Sequence, residues 1–372
     1  MKTYPLASRS LEEALELQFK TVDSITRHFT GFELLCLGDL GVRRDIGRPA
    51  QTSLVERVFA ETFDAEDAAL VRGAGTGSLR WSMLAAFGQG ATVLVHDAPI
   101  YPTTRHSLDS MGCVTLSADF NEPDALARAC EVHAEKIDGV LVQHSRQRPD
   151  DRYRLGEVIA RVRDVLPDVP VVSDDNYMAA RARALGCQLG ASLSTFSCFK
   201  LLGPEGVGAV IGTAEMVDRV RKLQYSGGSQ VQGHEAMAAL RGLVYAPVAL
   251  ATADRVRREV VERLCSGEVP HVVDAALANA ESGDVLVEFD GDIAERVLEL
   301  APAMGAAPHP VGCESKYEIC PLFYRVSSTF LSERPSWGKR VIRITVMRAG
   351  ASTVIKILNK IMAAVDGAAR SV

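Results

Sequence analysis

From about residue 52 to 211 the chain repeats one pattern, short apolar, β-branched runs separated by amphipathic stretches. The runs are Ala91–His96, Cys113–Ser117, Gly139–Gln143, Val169–Ser173, Ala191–Phe196 and Gly206–Ile211. Helix-like stretches fall near 76–88, 104–111, 123–135, 154–166 and 177–186. Strands that are apolar on both faces and alternate with helices predict a mostly parallel sheet covered by helices. Such a sheet takes its ligand at the carboxyl ends of its strands.

The flanks read differently. Ser10-Leu11-Glu12-Glu13 is a capping box, and Leu11, Leu15, Phe19 and Val22 recur at helical spacing, which predicts an opening helix to about His28. A long helix is expected over about 230–264, its faces rich in Arg255, Arg257, Arg258, Glu259 and Glu262. Beyond it, strands at Val285–Phe289 and Val341–Val346 and helices near 292–302 and 351–365 suggest a smaller α+β arrangement. The expected organisation is therefore an N-terminal helix and arm (1–45), a large domain (46–245) and a small C-terminal domain (246–372). At 372 residues and 47% hydrophobic, the chain can fill these cores.

A net charge of −6 without a block of like charge speaks against nucleic acid or an anionic membrane and for a small soluble ligand. The eight cysteines form no CxxC pair, which fits a reducing cytoplasm, and the eight histidines never fall at i, i+3 or i, i+4, so no metal is expected. No targeting signal is readable, and no stretch approaches the roughly 18 apolar residues of a membrane span.

The chemistry concentrates where strands end. Ser194 to Gly208 carries Lys200 from a strand into a Gly/Pro turn. Burial there lowers a lysine's pKa and makes its amine a nucleophile for carbonyls; the plain alternative is a surface lysine. The strand Val171-Val172-Ser173 runs into Asp174-Asp175-Asn176-Tyr177, with Asp175 25 residues before Lys200. If both strand ends point one way, a carboxylate and a lysine share a cleft, which is what a pyridoxal phosphate site needs. The carboxylate keeps the pyridinium nitrogen protonated and the lysine carries the aldehyde as an imine. One of the two aspartates is expected to cap the segment that follows.

Arg72-Gly73-Ala74-Gly75-Thr76-Gly77-Ser78 opens a helix whose N–H groups, with the Thr76 hydroxyl, would hold a phosphate. A dinucleotide loop with Asp97 as the ribose acid is the competing reading, but the spacing is G-x-G-x-G and it leaves Lys200 and Asp175 unexplained. Tyr101, bracketed by Pro99 and Pro102, can stack on a planar ring. Arg343 lies inside an apolar strand and requires an anion, either an internal carboxylate or a substrate.

These residues resemble the fold type I pyridoxal phosphate enzymes, specifically the cysteine/methionine (trans-sulfuration) group of cystathionine synthases and lyases, and within it the YhfS-like branch. The resemblance runs over about 45–350. Asp175-Asn176-Tyr177 matches the group's Asp-Asn-Thr and selects Asp175 for the ring nitrogen; Ala74-Gly75-Thr76 is similar to its Ser-Gly-Met phosphate turn; Tyr101 falls on its ring-stacking tyrosine. Arg241-Gly242-Leu243 matches a helical Arg-Gly-Leu, Gly312-Cys313-Glu314-Ser315 a substrate-side stretch, and Ile342-Arg343-Ile344-Thr345-Val346 the strand whose arginine grips the substrate carboxylate.

The resemblance implies a seven-stranded, mostly parallel sheet with helices on both faces and a smaller C-terminal α+β domain. It further implies Lys200, Asp175 and Tyr101 as catalytic residues, and Gly75, Thr76, Gly77, His144, Thr195 and Ser197 as further cofactor contacts. Arg343 and Ser315 fall on the substrate side. The implied reaction is elimination or replacement at the β or γ position of an amino acid, with transamination as the alternative and hydride transfer as a lesser one. A homodimer or dimer of dimers is implied.

Three departures stand out. Ser197-Cys198-Phe199-Lys200 replaces Ser-Ala-Thr-Lys, losing a hydroxyl for which Thr195 is the candidate substitute. The group's Tyr-Ser-Arg is absent, leaving Arg43, Arg44 or Arg48 in its place. Gln143-His144-Ser145 stands where aminotransferases place an asparagine over the ring oxygen.

Overall fold

The computed structural model describes residues 1–279, 284–307 and 315–369. The chain divides into a larger compact unit, Arg9–Ser145 with Arg152–Val248, and a smaller one, Met1–Ser8, Arg146–Asp151 and Ala249–Val372.

The larger unit opens with α1 (Leu11–His28), α2 (Gly31–Leu35) and α3 (Ala50–Thr62). There follow β1 (Asp67–Arg72), α4 (Ala74–Ala86), β2 (Thr92–His96), α5 (Pro102–Ser110), β3 (Val114–Ala118), α6 (Pro123–Val132), β4 (Gly139–Gln143) and α7 (Leu155–Val165). Then come β5 (Val171–Asp174), β6 (Leu193–Ser197), β7 (Val207–Gly212), α8 (Ala214–Leu223) and α9 (Gly233–Cys265), which runs on into the smaller unit. The strands form one sheet in the order β1-β7-β6-β5-β4-β2-β3. β2 to β6 are parallel, and β7 runs antiparallel to both its neighbours.

Period-2 alternation explains why the runs are apolar throughout. Val140 and Val142 pack with α6 and α7 residues such as Leu126 and Ile159, while Leu141 packs on the other face with Leu79, Met83 and Val217 of α4 and α8.

Three expectations change. Residues 177–186 are not a helix, because Tyr177 (φ 67°) and Ala180 (φ 59°) take left-handed backbone that breaks an i to i−4 ladder. In α1 the capping box forms, but the buried face is Ala14, Leu17, Thr21, Ser24 and Ile25. Phe19 and Val22 are 56% and 40% exposed. Thr21 and Ser24 tolerate burial because their hydroxyls donate to Leu17 O (2.8 Å) and Glu61 Oε2 (2.6 Å). The segment 1–45 is therefore no separate body: residues 1–8 join the smaller unit and the rest the larger.

Helix α9 also corrects the sequence reading, since by length and composition it suffices to cross a bilayer. Of its apolar window 56% is buried inside the protein, as in the core helix of a water-soluble fold. Arg241 and Pro247 interrupt the run, which hides it from a search for consecutive apolar residues.

The smaller unit is built on β8 (Val272–Leu277), β9 (Val285–Phe289), β10 (Leu322–Arg325) and β11 (Val341–Thr345), an antiparallel sheet in the order β10-β11-β9-β8. Its helices are α10 (Ala294–Met304), α11 (Ser328–Glu333), α12 (Trp337–Arg340) and α13 (Ala351–Ala369). Ile342 and Ile344 pack with Val297, Val354 and Leu358 of α10 and α13, so alternation turns Arg343 to the other face. The sequence reading found β9 and β11 but missed β8, which carries Asp274 and a register shift, and β10, only four residues long.

One electrostatic latch gives this unit a pH dependence. His271, with left-handed backbone (φ 64°), places Nε2 2.8 Å from Asp366 of α13 and Nδ1 3.1 Å from Asp290. Hydrogen bonds to these two carboxylates, Asp366 first, raise its pKa above 6.5. Because the folded value exceeds the unfolded one, the contribution is complete below about pH 6.5 and is lost as pH rises through the folded value. His271→Asn, which keeps the backbone conformation, should abolish a thermal-midpoint decline of about 1–3 °C above pH 6.5. An unchanged decline in the variant would assign it to other groups.

Candidate active site

The site begins with strand pairing. β5 and β6 run parallel with Asp174 opposite Thr195, so both reach the same edge of the sheet. β7 then doubles back, and the reversal puts Lys200 in a 3-10 turn, Phe199–Leu201, closed by Leu202 at φ 60°. Lys200 thus follows β6 at the edge where Asp175 follows β5.

Around that edge one side-chain oxygen collects the parts. Asn176 Oδ1 accepts from Ser197 N at 3.0 Å and from Lys200 Nζ at 3.3 Å. A Cβ on Gly75 would lie 2.4 Å from the same atom, so only glycine lets the start of α4 approach. Asn176 is itself clamped, its N and Nδ2 donating to Asp174 Oδ1 at 3.1 and 2.7 Å. Asp174 therefore caps the turn, and burial pushes its carboxyl pKa up.

Asp175 is fully buried and has a different set of partners. Its Oδ1 accepts from His144 Nδ1 at 2.6 Å; its Oδ2 accepts from Ser173 Oγ at 2.5 Å and Gly186 N at 3.3 Å. An ionised carboxylate only accepts, so Nδ1 of His144 must carry the proton. His144 is held in turn by its N–H on Asp174 O at 3.0 Å. His144 thus braces Asp175.

The helix-start expectation sharpens similarly. Gly73 takes φ 98° as N-cap of α4, and Gly73 N and Ala74 N both donate to Gly206 O. Gly77 N is already spent on Gly73 O at 2.8 Å, and a Cβ at Gly77 would meet Arg72 O, so Gly77 serves close packing and contributes no free donor. The N–H groups of Gly75 and Thr76 have no acceptor among the described residues. Nearby, the Ser197 hydroxyl is buried and has no hydrogen-bond partner among the described residues. Two free N–H groups at a helix start and an orphaned hydroxyl, drawn together through Asn176, fit an anionic group with several acceptor oxygens.

Thr195 does not supply the missing hydroxyl, because its Oγ1 donates to Ser173 O at 3.3 Å. Arg48 and Arg43 are likewise committed, to buried Glu56 (2.7 Å) and to Asp45 (2.6 Å). Tyr101 is 39% exposed and starts α5 beyond β2, at the carboxyl edge. Cys198, beside the lysine turn, is buried and its thiol pKa is pushed up by desolvation, which leaves it inert. Among the described residues no group of three or more His, Cys, Asp or Glu is placed to hold a metal.

The dinucleotide alternative loses its geometry. β1 is an edge strand antiparallel to β7, and β7, β6, β5 and β4 separate it from β2, whereas a ribose acid belongs on the strand beside the glycine loop.

In the smaller unit, Arg343 is buried and its guanidinium lies 4.2 Å from the centroid of Tyr324. Its Nε donates to Arg325 O at 2.9 Å, and Nη1 is 3.8 Å from Asp284 Oδ2. Asp284 also accepts from Tyr324 Oη and Thr345 Oγ1, both at 2.5 Å. The internal carboxylate required by a buried arginine is thus present. Ser315 is buried and accepts from Tyr317 N at 3.2 Å; Gly312, Cys313 and Glu314 lie outside the described residues.

Sequence reasoning did not single out Asn176 as the hub or Ser173 as support for Asp175. The run of Asp174, Asp175 and Asn176 after a strand is itself an Asx-turn signal and could have found the former.

A parallel sheet whose last strand doubles back, a lysine on that return and a buried carboxylate on the neighbouring strand define the fold type I architecture of pyridoxal phosphate enzymes. Comparison with known proteins agrees. Residues 258–358 match the family described as YhfS-like, C-terminal domain. The YhfS protein of Escherichia coli (strain K12) is 48% identical over 365 residues, 98% of this chain and all of that protein, so the chain belongs to the YhfS family.

The crystal structure of the Escherichia coli YhfS, described as a pyridoxal-5'-phosphate dependent protein, superposes with a TM-score of 0.95 over 98% of this chain and 100% of that one. More distantly, a putative cystathionine β-lyase involved in aluminum resistance from Listeria monocytogenes shares the fold at TM-score 0.72 and 16% identity, covering 94% of each chain. Cystathionine γ-synthase from Xanthomonas oryzae does so at 0.66 and 18%, over 85% of this chain and 86% of that one.

Proposed function

We propose that this protein is a pyridoxal-phosphate-dependent enzyme that eliminates or replaces a β or γ substituent of an amino acid. The convergence on Asn176 Oδ1 carries the reading, since it gathers the lysine, the Ser197 strand end and the Gly75 turn around one atom. Bound there, pyridoxal phosphate supplies an electron sink for the pair released at the substrate's Cα.

The chain's own residues divide the remaining work. Gly75 N, Thr76 N and Ser197 Oγ bind the phosphate. Asp175, fixed on both oxygens by His144, Ser173 and Gly186, keeps a spare lone pair with which to hold a proton on the ring nitrogen. Tyr101 would lie against the ring. The Lys200 amine would hold the cofactor through its aldehyde and would serve to move the proton at the substrate's Cα. Arg343 binds the substrate carboxylate, with Asp284 and Tyr324 orienting its guanidinium.

Homodimerisation is part of the same proposal. It is supported by Phe32, Leu35, Leu37 and Leu40, each 75–85% exposed in a stretch bordering Phe19 and Val22 in sequence. The seven described cysteines are free thiols, which supports a cytoplasmic setting.

Two measurements test the reading. Borohydride should bleach a yellow protein and leave the label on the Lys200 peptide. A panel of sulfur- and phosphono-amino acids should then release ammonia and a keto acid. Amino transfer to a keto acid, with the cofactor left in its amine form, would replace elimination by transamination.

Ser197→Ala separates binding from folding. The cofactor-free variant should be at least as stable as the wild type, because a partnerless buried hydroxyl is removed, while cofactor affinity falls about 10-fold or more. Thermal unfolding with and without pyridoxal phosphate reads both; unchanged affinity would remove Ser197 from the phosphate site.

A further inference from the structure

Tyr177 combines two features that a neutral spacer would not need. It follows Asp175 and Asn176 with φ 67°, a left-handed conformation rarely adopted by a bulky residue and retained only where the surroundings over-determine it. Those surroundings are the Asn176 clamp on Asp174 and the N–H groups of Met178 and Ala179, which both donate to Asp175 O. The result is that the ring lies face-on to Lys200, with Nζ 3.5 Å from its centroid.

An ammonium over an aromatic face is stabilised by the ring quadrupole, and Asn176 Oδ1 at 3.3 Å accepts one of its protons. Buried Asp174 lies behind this pair and acts on Lys200 through its charge. The group that this chain resembles has threonine at this position, which offers no such face.

We infer that Tyr177 is a positioning residue whose ring, together with Asn176 Oδ1, berths the Lys200 ammonium whenever that amine is not covalently engaged. The inference rests on the proposed reading of Lys200. In that reading the lysine is released as a neutral amine when substrate takes its place, becomes a cation by accepting the Cα proton, and must stay within reach to pass that proton on. The ring face and the Asn176 carbonyl hold the cation in place, within the field of Asp174.

The test uses full-length protein freed of cofactor by hydroxylamine and dialysis. Acetylation of Lys200 by acetic anhydride is followed by peptide mass spectrometry across pH, with exposed Lys356 as internal reference. Tyr177→Asn tolerates the left-handed backbone and removes the ring; Tyr177→Phe keeps the ring face. Below the titration midpoint of Lys200, Tyr177→Asn should label about 3- to 10-fold faster than wild type, through a midpoint moved to lower pH, and Tyr177→Phe should stay within about twofold.

A midpoint unchanged in Tyr177→Asn, with only a higher plateau, means greater access alone and overturns the berth. Borohydride labelling of the cofactor-loaded wild type distinguishes the two levels. A label on Lys200 with an unmoved midpoint sinks only the berth, whereas no label on Lys200 removes the cofactor reading and the berth with it.

Discussion

Replacing Lys200 by alanine is expected to reduce amino-acid turnover by about 10³-fold or more, because it removes both the covalent anchor and the group that moves the Cα proton. The protein should remain folded. Lys200 is only partly buried, and its contacts include a ring face and a carbonyl that water can replace. The variant should therefore unfold within a few degrees of wild-type protein stripped of cofactor, yet show no borohydride label at position 200. Substantial turnover by a folded Lys200→Ala protein would overturn the covalent role, as would labelling of another lysine in the wild type.

Asp175→Asn should produce a comparable loss through a different route. Asp175 is fully buried and accepts from three donors in its own chain. An amide at this position presents N–H where the carboxylate accepts, so His144 must move its proton from Nδ1 to Nε2, or a donor loses its acceptor. Leaving a buried donor unpaired costs about 1–3 kcal/mol, which should appear as a lower unfolding midpoint even without cofactor. Turnover should fall by about 10²- to 10⁴-fold, since a neutral amide cannot hold the ring nitrogen's proton.

The pair of variants is diagnostic: Lys200→Ala is inactive and stable, Asp175→Asn inactive and destabilised. If Asp175→Asn kept near-normal turnover at reduced stability, Asp175 would be a purely structural acid.

Much of the large unit was legible because its signals are local. Strands apolar at every position announce burial on both faces, and each β-branched run from Ala91 to Ile211 became a strand within about two residues. Where local signals conflict with packing, the reading failed. The α1 stripe was assigned by hydrophobicity, yet Thr21 and Ser24 went inside because they found acceptors, leaving Phe19 and Val22 outside. Tyr177 to Gly186 carries helix-forming residues, but the turn after β5 imposes left-handed backbone on two of them.

Sequence by itself determined that this chain makes a mostly parallel α/β sheet, and which residue types stand at its strand ends: Asp175, Lys200 and a glycine turn at 73–77. Both follow from periodicity and spacing, which are properties of the chain alone. Only the tertiary structure decided how those residues divide their tasks. It separated Asp174, a turn cap, from Asp175, the networked acid; it joined His144 to that acid; it satisfied the donors of Gly77 and Thr195. It also brought Asn176 and Tyr177 against Lys200. The physical reason is that a polar group's role depends on which partners reach it, and β5, β6 and the start of α4 meet at one edge only after β7 turns back.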